Sequence, residues 1–103
     1  MIFCVARSGK PLSPELQHAL FETGQEMYRE QRKSANIRTD DGEGQITSDF
    51  EYRSFVHIFG IFFVADIETE SGKTHVEFVI HDCDLIRKHL QETRPGALNA
   101  QWN

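Results

Sequence analysis

Between Ile61 and Ile80 the chain reads IFFVADIETESGKTHVEFVI, two runs rich in Val, Ile, Phe and Thr on either side of Glu70-Ser71-Gly72-Lys73. A Ser-Gly pair between such runs is a hairpin signal. A two-residue loop at Ser71-Gly72 places Thr69 opposite Thr74, Ile67 opposite Val76, Ala65 opposite Phe78 and Phe63 opposite Ile80. Because strand side chains alternate faces, Phe63, Ala65, Ile67, Val76, Phe78 and Ile80 then share one apolar face, which a one-residue slip would scatter.

Upstream the parity changes. Phe50, Tyr52, Val56 and Ile58 are apolar at even positions and Ile61, Phe63, Ala65 and Ile67 at odd ones, so the phase flips at Gly60. A reversal at Phe59-Gly60 accounts for the flip and pairs Ile58 with Ile61, Val56 with Phe63 and Tyr52 with Ile67. The alternatives are a β-bulge at Gly60 in one long strand, or a helix over residues 49–59 opened by a Ser48-Asp49-Phe50-Glu51 capping box. The segment holds Val, Ile and aromatics but neither Ala nor Leu, which favours the strand. Residues 46–81 thus form a three-stranded meander.

Ile2 to Ala6 reads as a further strand on an edge of that meander. Ser13-Pro14-Glu15 supplies an N-cap, a proline at the first helical position and an acid in the first turn, opening a long helix that runs to about Lys33. Its stripe is Leu16, Leu20, Thr23 and Met27. Phe21 and Tyr28 project away from that stripe and are expected under a loop or the chain terminus, the alternative being an interaction surface. Ser34 to Gly44 is polar and reads as an exposed loop, with acids that do not match the spacing of a calcium-binding EF-hand. Asp82 or Asp84 can cap a short helix over Leu85 to Glu92, stopped at Arg94-Pro95-Gly96. Residues 96–103, with Leu98 and Trp102, read as a tail that is flexible, folds back onto the domain or docks on a partner.

The expected fold is α+β in the order β-α-β-β-β-α. It is a single domain of residues 1–103, a four-stranded antiparallel sheet with the long helix across its apolar face and a short C-terminal helix. In shape alone this layout resembles the cystatin-type wrap of a sheet around a helix, and shape does not deliver function.

Bulk properties narrow the function. The chain has 103 residues, a net charge of −5 and a pI near 5.4, which argues against the basic stripe of a nucleic-acid-binding protein. Residues 40–84 hold eleven acids against Arg53 and Lys73, a net of −9, so the negative field belongs to the sheet. No signal peptide or membrane span is apparent, and Cys4 and Cys83 suit thiols in a reducing cytoplasm.

His57, His81, Cys83 and His89, with Cys4, are the residues that a metal or thiol site would use. The His-x-Cys spacing fits no usual zinc pattern, and Asp82 and Asp84 flank Cys83 and oppose a thiolate. Neither metal, cofactor nor catalytic residue is therefore expected.

The outer sheet face is the more informative feature. In the register above its rows are Glu51, Glu68, His75; then Arg53, Asp66, Glu77; then Phe55, Val64, Val79; then His57, Phe62, His81. One end is acidic and the other apolar, the arrangement of a protein-binding surface for a basic partner or a symmetric homodimer. The binding residues expected on it are Phe55, Phe59, Phe62, Asp66, Glu68 and Glu77. The reading is a non-enzymatic inhibitor or immunity-type protein that neutralises a basic partner such as a nuclease. The alternative is a self-associating domain with a small-molecule pocket, or a small enzyme built around His57, His81 and Cys83.

Overall fold

A computed structural model describes residues 2–8, 11–55, 57–82, 84 and 87. The elements are β1 (Ile2–Ser8), α1 (Pro14–Glu30), β2 (Ser34–Thr39), β3 (Gly42–Thr47), β4 (Tyr52–Phe55), β5 (Ile58–Thr69) and β6 (Gly72–Asp82). All pairings are antiparallel, and the six-stranded sheet has the order β1-β6-β5-β3-β2, with β4 also on β5. The class is α+β as expected, with β1 on the edge of β6. The order is β-α-β-β-β-β-β among the described residues, with six strands where four were expected. Of the expected helix over Leu85 to Glu92 only Arg87 is described, helical and exposed like Asp84 before it, and its other residues and the tail lie outside the described residues.

The helix begins where its signals put it. Ser13 is extended, and its Oγ accepts from the Leu16 N–H at 3.1 Å, with Pro14 and Glu15 in the first turn. It ends at Gln31, which takes a left-handed conformation while main-chain carbonyls of Met27 and Tyr28 are capped. Leu16, Leu20, Met27 and Tyr28 are buried against Ile46, Phe63, Ala65, Ile67, Val76, Phe78 and Ile80. Gly24 sits close enough to Ile80 and Phe63 that an added Cβ would lie 2.8 Å from the Ile80 side chain. Tyr28 belongs to this core instead of lying under a loop: its ring meets Phe50 edge-on at 5.3 Å.

The β5–β6 register differs from the expected one by two residues. Thr69 pairs with Gly72, Ile67 with Thr74, Ala65 with Val76, Phe63 with Phe78 and Ile61 with Ile80. The loop is Glu70-Ser71, because Gly72, at φ 110°, adopts a conformation that residues with a side chain avoid. A shift of two preserves side-chain parity. The same six residues therefore share the apolar face, and Phe63 stacks on Phe78 at 5.1 Å.

Two further corrections concern residues 34–60. Ser34 to Gly44 is not a loop: β2 and β3 form a hairpin around Asp40-Asp41, burying Ile37 and Ile46. The reversal before β5 falls between Phe55 and Ile58, which pair with each other, with His57 at φ 65°, and not at Phe59-Gly60. Gly60 is inside β5, where an added Cβ would meet the Ile80 carbonyl oxygen at 2.6 Å.

The parity change has a different origin. β3 and β4 lie along the same edge of β5, and Ser48 to Glu51 separate them opposite only Phe62 and Phe63. Phe50 turns through φ 58° there and drops its ring into the core. Ser48 Oγ holds the break by accepting from the Phe50 N–H at 2.9 Å and donating to the Phe62 carbonyl at 2.5 Å.

Candidate functional site

Helix α1 covers one face of the sheet. The other presents the even positions of β5 and the odd positions of β6, joined by the outward residues of β2 and β3. The register aligns Asn36, Gln45, Asp66 and His75 in one row across four strands, and Arg38, Glu43, Glu68 and Lys73 in the next. An open groove of about 700 Å³ runs over these rows.

Here the expected charge map changes. Glu68 lies opposite Lys73 and not His75, and Asp66 lies opposite His75 and not Glu77. The His75 Nδ1 is 2.9 Å from Asp66 Oδ1, and its Nε2 is 3.8 Å from Glu77 Oε1. Arg38 Nε approaches Glu43 Oε2 at 3.5 Å. The like-charged pairs Glu51 with Glu68 and Asp66 with Glu77 do not form across strands. One like pair that sequence reasoning missed does form: Glu43 of β3 is directly opposite Glu68 of β5. Such a pair destabilises a sheet by tenths of a kcal/mol to about 1 kcal/mol unless a cation intervenes.

Of the expected binding residues, Asp66, Glu68 and Glu77 lie on this outer face with Phe55 and Phe62. Phe55 is buried, 6.5 Å from the Phe62 ring, and Val79, opposite Phe62, is fully buried beside them. Phe59 is separated from the group. Its parity is that of Ile61 and Phe63, so it stacks on Tyr52 at 5.8 Å on the helix side, where it is 53% exposed. Asn36, Glu43, Gln45 and Lys73 were not among the expected residues, although they line the groove. The repeated pattern Thr39-x-x-Gly42 and Thr69-x-x-Gly72 is the signal that could have found the first three.

Arg53 forms the boundary between polar and apolar ends of the face. Its guanidinium lies 4.3 Å from the Phe62 ring centre and hydrogen-bonds Glu51, with Asp49 at 3.6 Å. The Glu51 hydrogen bond holds Arg53 above the ordinary arginine range against partial desolvation, and the Glu51, Asp49 and Glu77 charges add to it. A cation held over an aromatic face in this way covers apolar surface and fixes the ring.

The histidines do not assemble. His57 is exposed in the β4–β5 turn, and the His81 Nδ1–H donates to the Phe59 carbonyl at 2.6 Å, which leaves Nε2 as its second position. Cys83 and His89 lie outside the described residues, as does the side chain of Cys4. Among the described residues no three of His, Cys, Asp and Glu group as metal ligands, and no helix is long and apolar enough to cross a membrane.

At the end of the sheet formed by the two turns, Asp41 Oδ2 accepts from Ser13 Oγ at 2.6 Å, tying the β2–β3 turn to the start of α1. Desolvation, then the Asp41 and Asp40 carboxylates and an Asp41 hydrogen bond, hold the Glu15 carboxyl above its ordinary range. With Glu70 on the neighbouring turn, this end carries the densest negative charge near the groove. No family model, curated protein or solved structure matches the chain.

Proposed function

We propose that this chain is a non-enzymatic protein-binding domain whose outer sheet face docks on a basic partner. The observation that supports the reading is the like-charged Glu43-Glu68 pair beside Asp66, flanked by Arg38 and Lys73 at the ends of its row, in a groove open to solvent. Two adjacent carboxylates repel until a cation sits between them, so a partner's lysine or arginine gains more there than on an ordinary surface acid. Asp40, Asp41 and Glu70 at the adjoining turns extend the negative potential and speed encounter. Phe62 beside Arg53 supplies apolar contact next to the charged rows. The proposed class is a small inhibitor or immunity-type protein that neutralises a basic enzyme such as a nuclease, working in the reducing cytoplasm that its thiols suit.

The test is association kinetics with an immobilised lysine-rich peptide at low and physiological salt. Reversing Asp66, Glu68 and Glu77 to lysine is expected to slow association on the order of tenfold or more and flatten its salt dependence. Unchanged association in the triple variant, with its fold verified by circular dichroism, would overturn the reading.

A further inference from the structure

We infer that two copies of the chain associate by pairing their β2 strands edge to edge, antiparallel, about a two-fold axis at Asn36. This goes beyond the basic-partner reading, which concerns the outer face, and stands or falls separately from it. β2 is the last strand on its side of the sheet and pairs with β3 alone, so its far edge is free within one chain.

The hydrogen-bond phase identifies the groups available for pairing. A two-residue loop makes Thr39 and Gly42 a bonded pair, and bonding alternates along an antiparallel ladder. Ile37 with Gly44 and Ala35 with Ile46 are then the next bonded pairs, and the phase continues past the strand, where the Ser48 N–H donates to the Lys33 carbonyl at 3.0 Å. Main-chain groups of Ser34, Asn36 and Arg38 therefore point away from β3, and among the described residues nothing else bonds to them. The strand has no proline, glycine or bulge to blunt its edge, and its one charge, Arg38, leans back over the sheet toward Glu43 at 3.5 Å. On the helix side, Gly24 packs α1 against Phe63 and Ile80 of the central strands, and Ala35 and Thr39 of β2 remain only half-buried.

Charge selects the occupant. Arg32 and Lys33 precede the strand and Asp40 and Asp41 follow it, so the edge is positive at its start and negative at its end. Arg32 is engaged by Glu26 and Glu30 at 3.5 and 2.7 Å, whereas among the described residues Lys33 has no carboxylate partner and Asp40 no cation. Those two lie roughly 23 Å apart at about 3.3 Å per residue, too far to meet within one chain. A lysine-bearing strand is repelled at the first end and an acidic strand at the second. What satisfies both ends is a strand with the same polarity in reverse, which an antiparallel second copy supplies. With Asn36 opposite Asn36 of the second copy, Ser34 falls opposite Arg38, Ala35 opposite Ile37, Lys33 opposite Thr39 and Arg32 level with Asp40. Each Asp40 then reaches Lys33 of the other chain.

The bonding phase permits shifts of two residues, and charge rejects both neighbours of this register. One sets Arg38 opposite Arg32, and the other brings the two Arg38 side chains together on a diagonal. At the axis each Asn36 amide carries a donor and an acceptor for the other. Across it, the row of Arg38, Glu43 and Glu68 continues into Ser34, Thr47 and Val64 of the second copy, none of them charged. The two Asp66 carboxylates lie roughly 24 Å apart at about 4.8 Å per strand, well beyond the screening length. The pairing thus joins two acidic outer faces without opposing their charges.

The experiment is analytical ultracentrifugation of the full chain from micromolar to millimolar concentration at low salt, with amide exchange read in parallel. The mean mass is expected to rise toward that of two chains, and the Asn36 and Arg38 amides to become protected over the same range, because a contact of this size is weak and concentration-dependent. Asn36→Pro removes an N–H that points off the sheet and leaves the β2–β3 bonds intact, so it should remain monomeric throughout. Lys33→Asp sets an acid against Asp40, and Asp40→Lys sets a base against Lys33. Each variant alone should associate about tenfold more weakly than the parent, whereas an equimolar mixture of the two should recover parental association, since every end then meets its opposite. The mixture carries the test where the proline variant fails to fold. A mass that stays at one chain up to millimolar concentration would overturn the inference. So would a dimer that survives Asn36→Pro, or a mixture that associates no more tightly than either variant alone.

Discussion

The β2–β3 and β5–β6 hairpins turn on the same four-residue pattern, Thr39-Asp40-Asp41-Gly42 and Thr69-Glu70-Ser71-Gly72. In each the threonine hydroxyl donates to the glycine carbonyl at 3.1 Å. Their surroundings differ. β5 and β6 have 12 and 11 residues and carry Phe63 and Phe78 in the centre of the sheet, whereas β2 and β3 have six residues each and bury only Ile37 and Ile46 between them. The turn alone therefore determines where a chain reverses, and the apolar content of the flanking strands determines how firmly the result is held. The outer face depends on both. Its charged rows join the well-buried hairpin, which supplies Asp66, Glu68, Lys73 and His75, to the lightly buried one, which supplies Asn36, Arg38, Glu43 and Gln45.

The comparison breaks most visibly at the aromatic stack. Phe78→Ala, at a position with 0% exposure, should lower unfolding free energy by about 3–5 kcal/mol, while Ile37→Ala should cost about 2 kcal/mol. Urea denaturation checks both values, and equal losses would mean that the two hairpins contribute alike. The turns provide a sharper contrast. Gly72→Ala forces a side chain to φ 110° and should cost about 1–2 kcal/mol. Gly42 has no such φ, although an added Cβ would lie 3.0 Å from the Glu68 carbonyl and Ile67 side chain. There crowding opposes the entropic benefit of alanine, so Gly42→Ala should remain within about 0.5 kcal/mol of neutral. Thermal melts of the pair measure the difference.

The smallest effect concerns the docking of the β2–β3 turn on α1. The Glu15 carboxyl is held above its ordinary range by desolvation and by Asp41 and Asp40. A carboxyl raised on folding stabilises the fold most when protonated, and that contribution disappears as pH rises through its folded pKa. Asp41→Asn should lower the Glu15 midpoint in a carboxyl-detected NMR titration. An unmoved midpoint would show that the turn and the helix start are not electrostatically joined.

The same contrast explains what could be read from the residues. Parity along Phe63, Ala65, Ile67, Val76, Phe78 and Ile80 identified the apolar face, because burial enforces alternation. It could not fix the register to better than two residues, since an even shift leaves every side chain on its own side. The conformation needed at Gly72 made that choice. The β2–β3 hairpin reads as a loop in the sequence because a half-exposed strand pair with two buried isoleucines resembles polar coil. At Phe50 a buried aromatic in a left-handed conformation contradicts local preference, and only the packing with Tyr28 and Phe63 explains it. For the candidate site, Asp66, Glu68 and Glu77 were legible as outward acids, whereas their true cross-strand partners depended on the register. Phe59 reads as part of the docking group from the sequence, although the pairing of Phe55 with Ile58 puts it within β5 on the helix side.

Residues 34–39 test both the hidden hairpin and the free edge at once, through amide hydrogen exchange read residue by residue. At concentrations low enough to keep the chain monomeric, the ladder predicts alternation, with the Ala35, Ile37 and Thr39 amides protected by β3 and the Asn36 and Arg38 amides exchanging at nearly free-peptide rates. Uniformly fast exchange would return the segment to a loop. Uniform protection would mean that the edge is already occupied, and either result would contradict the account.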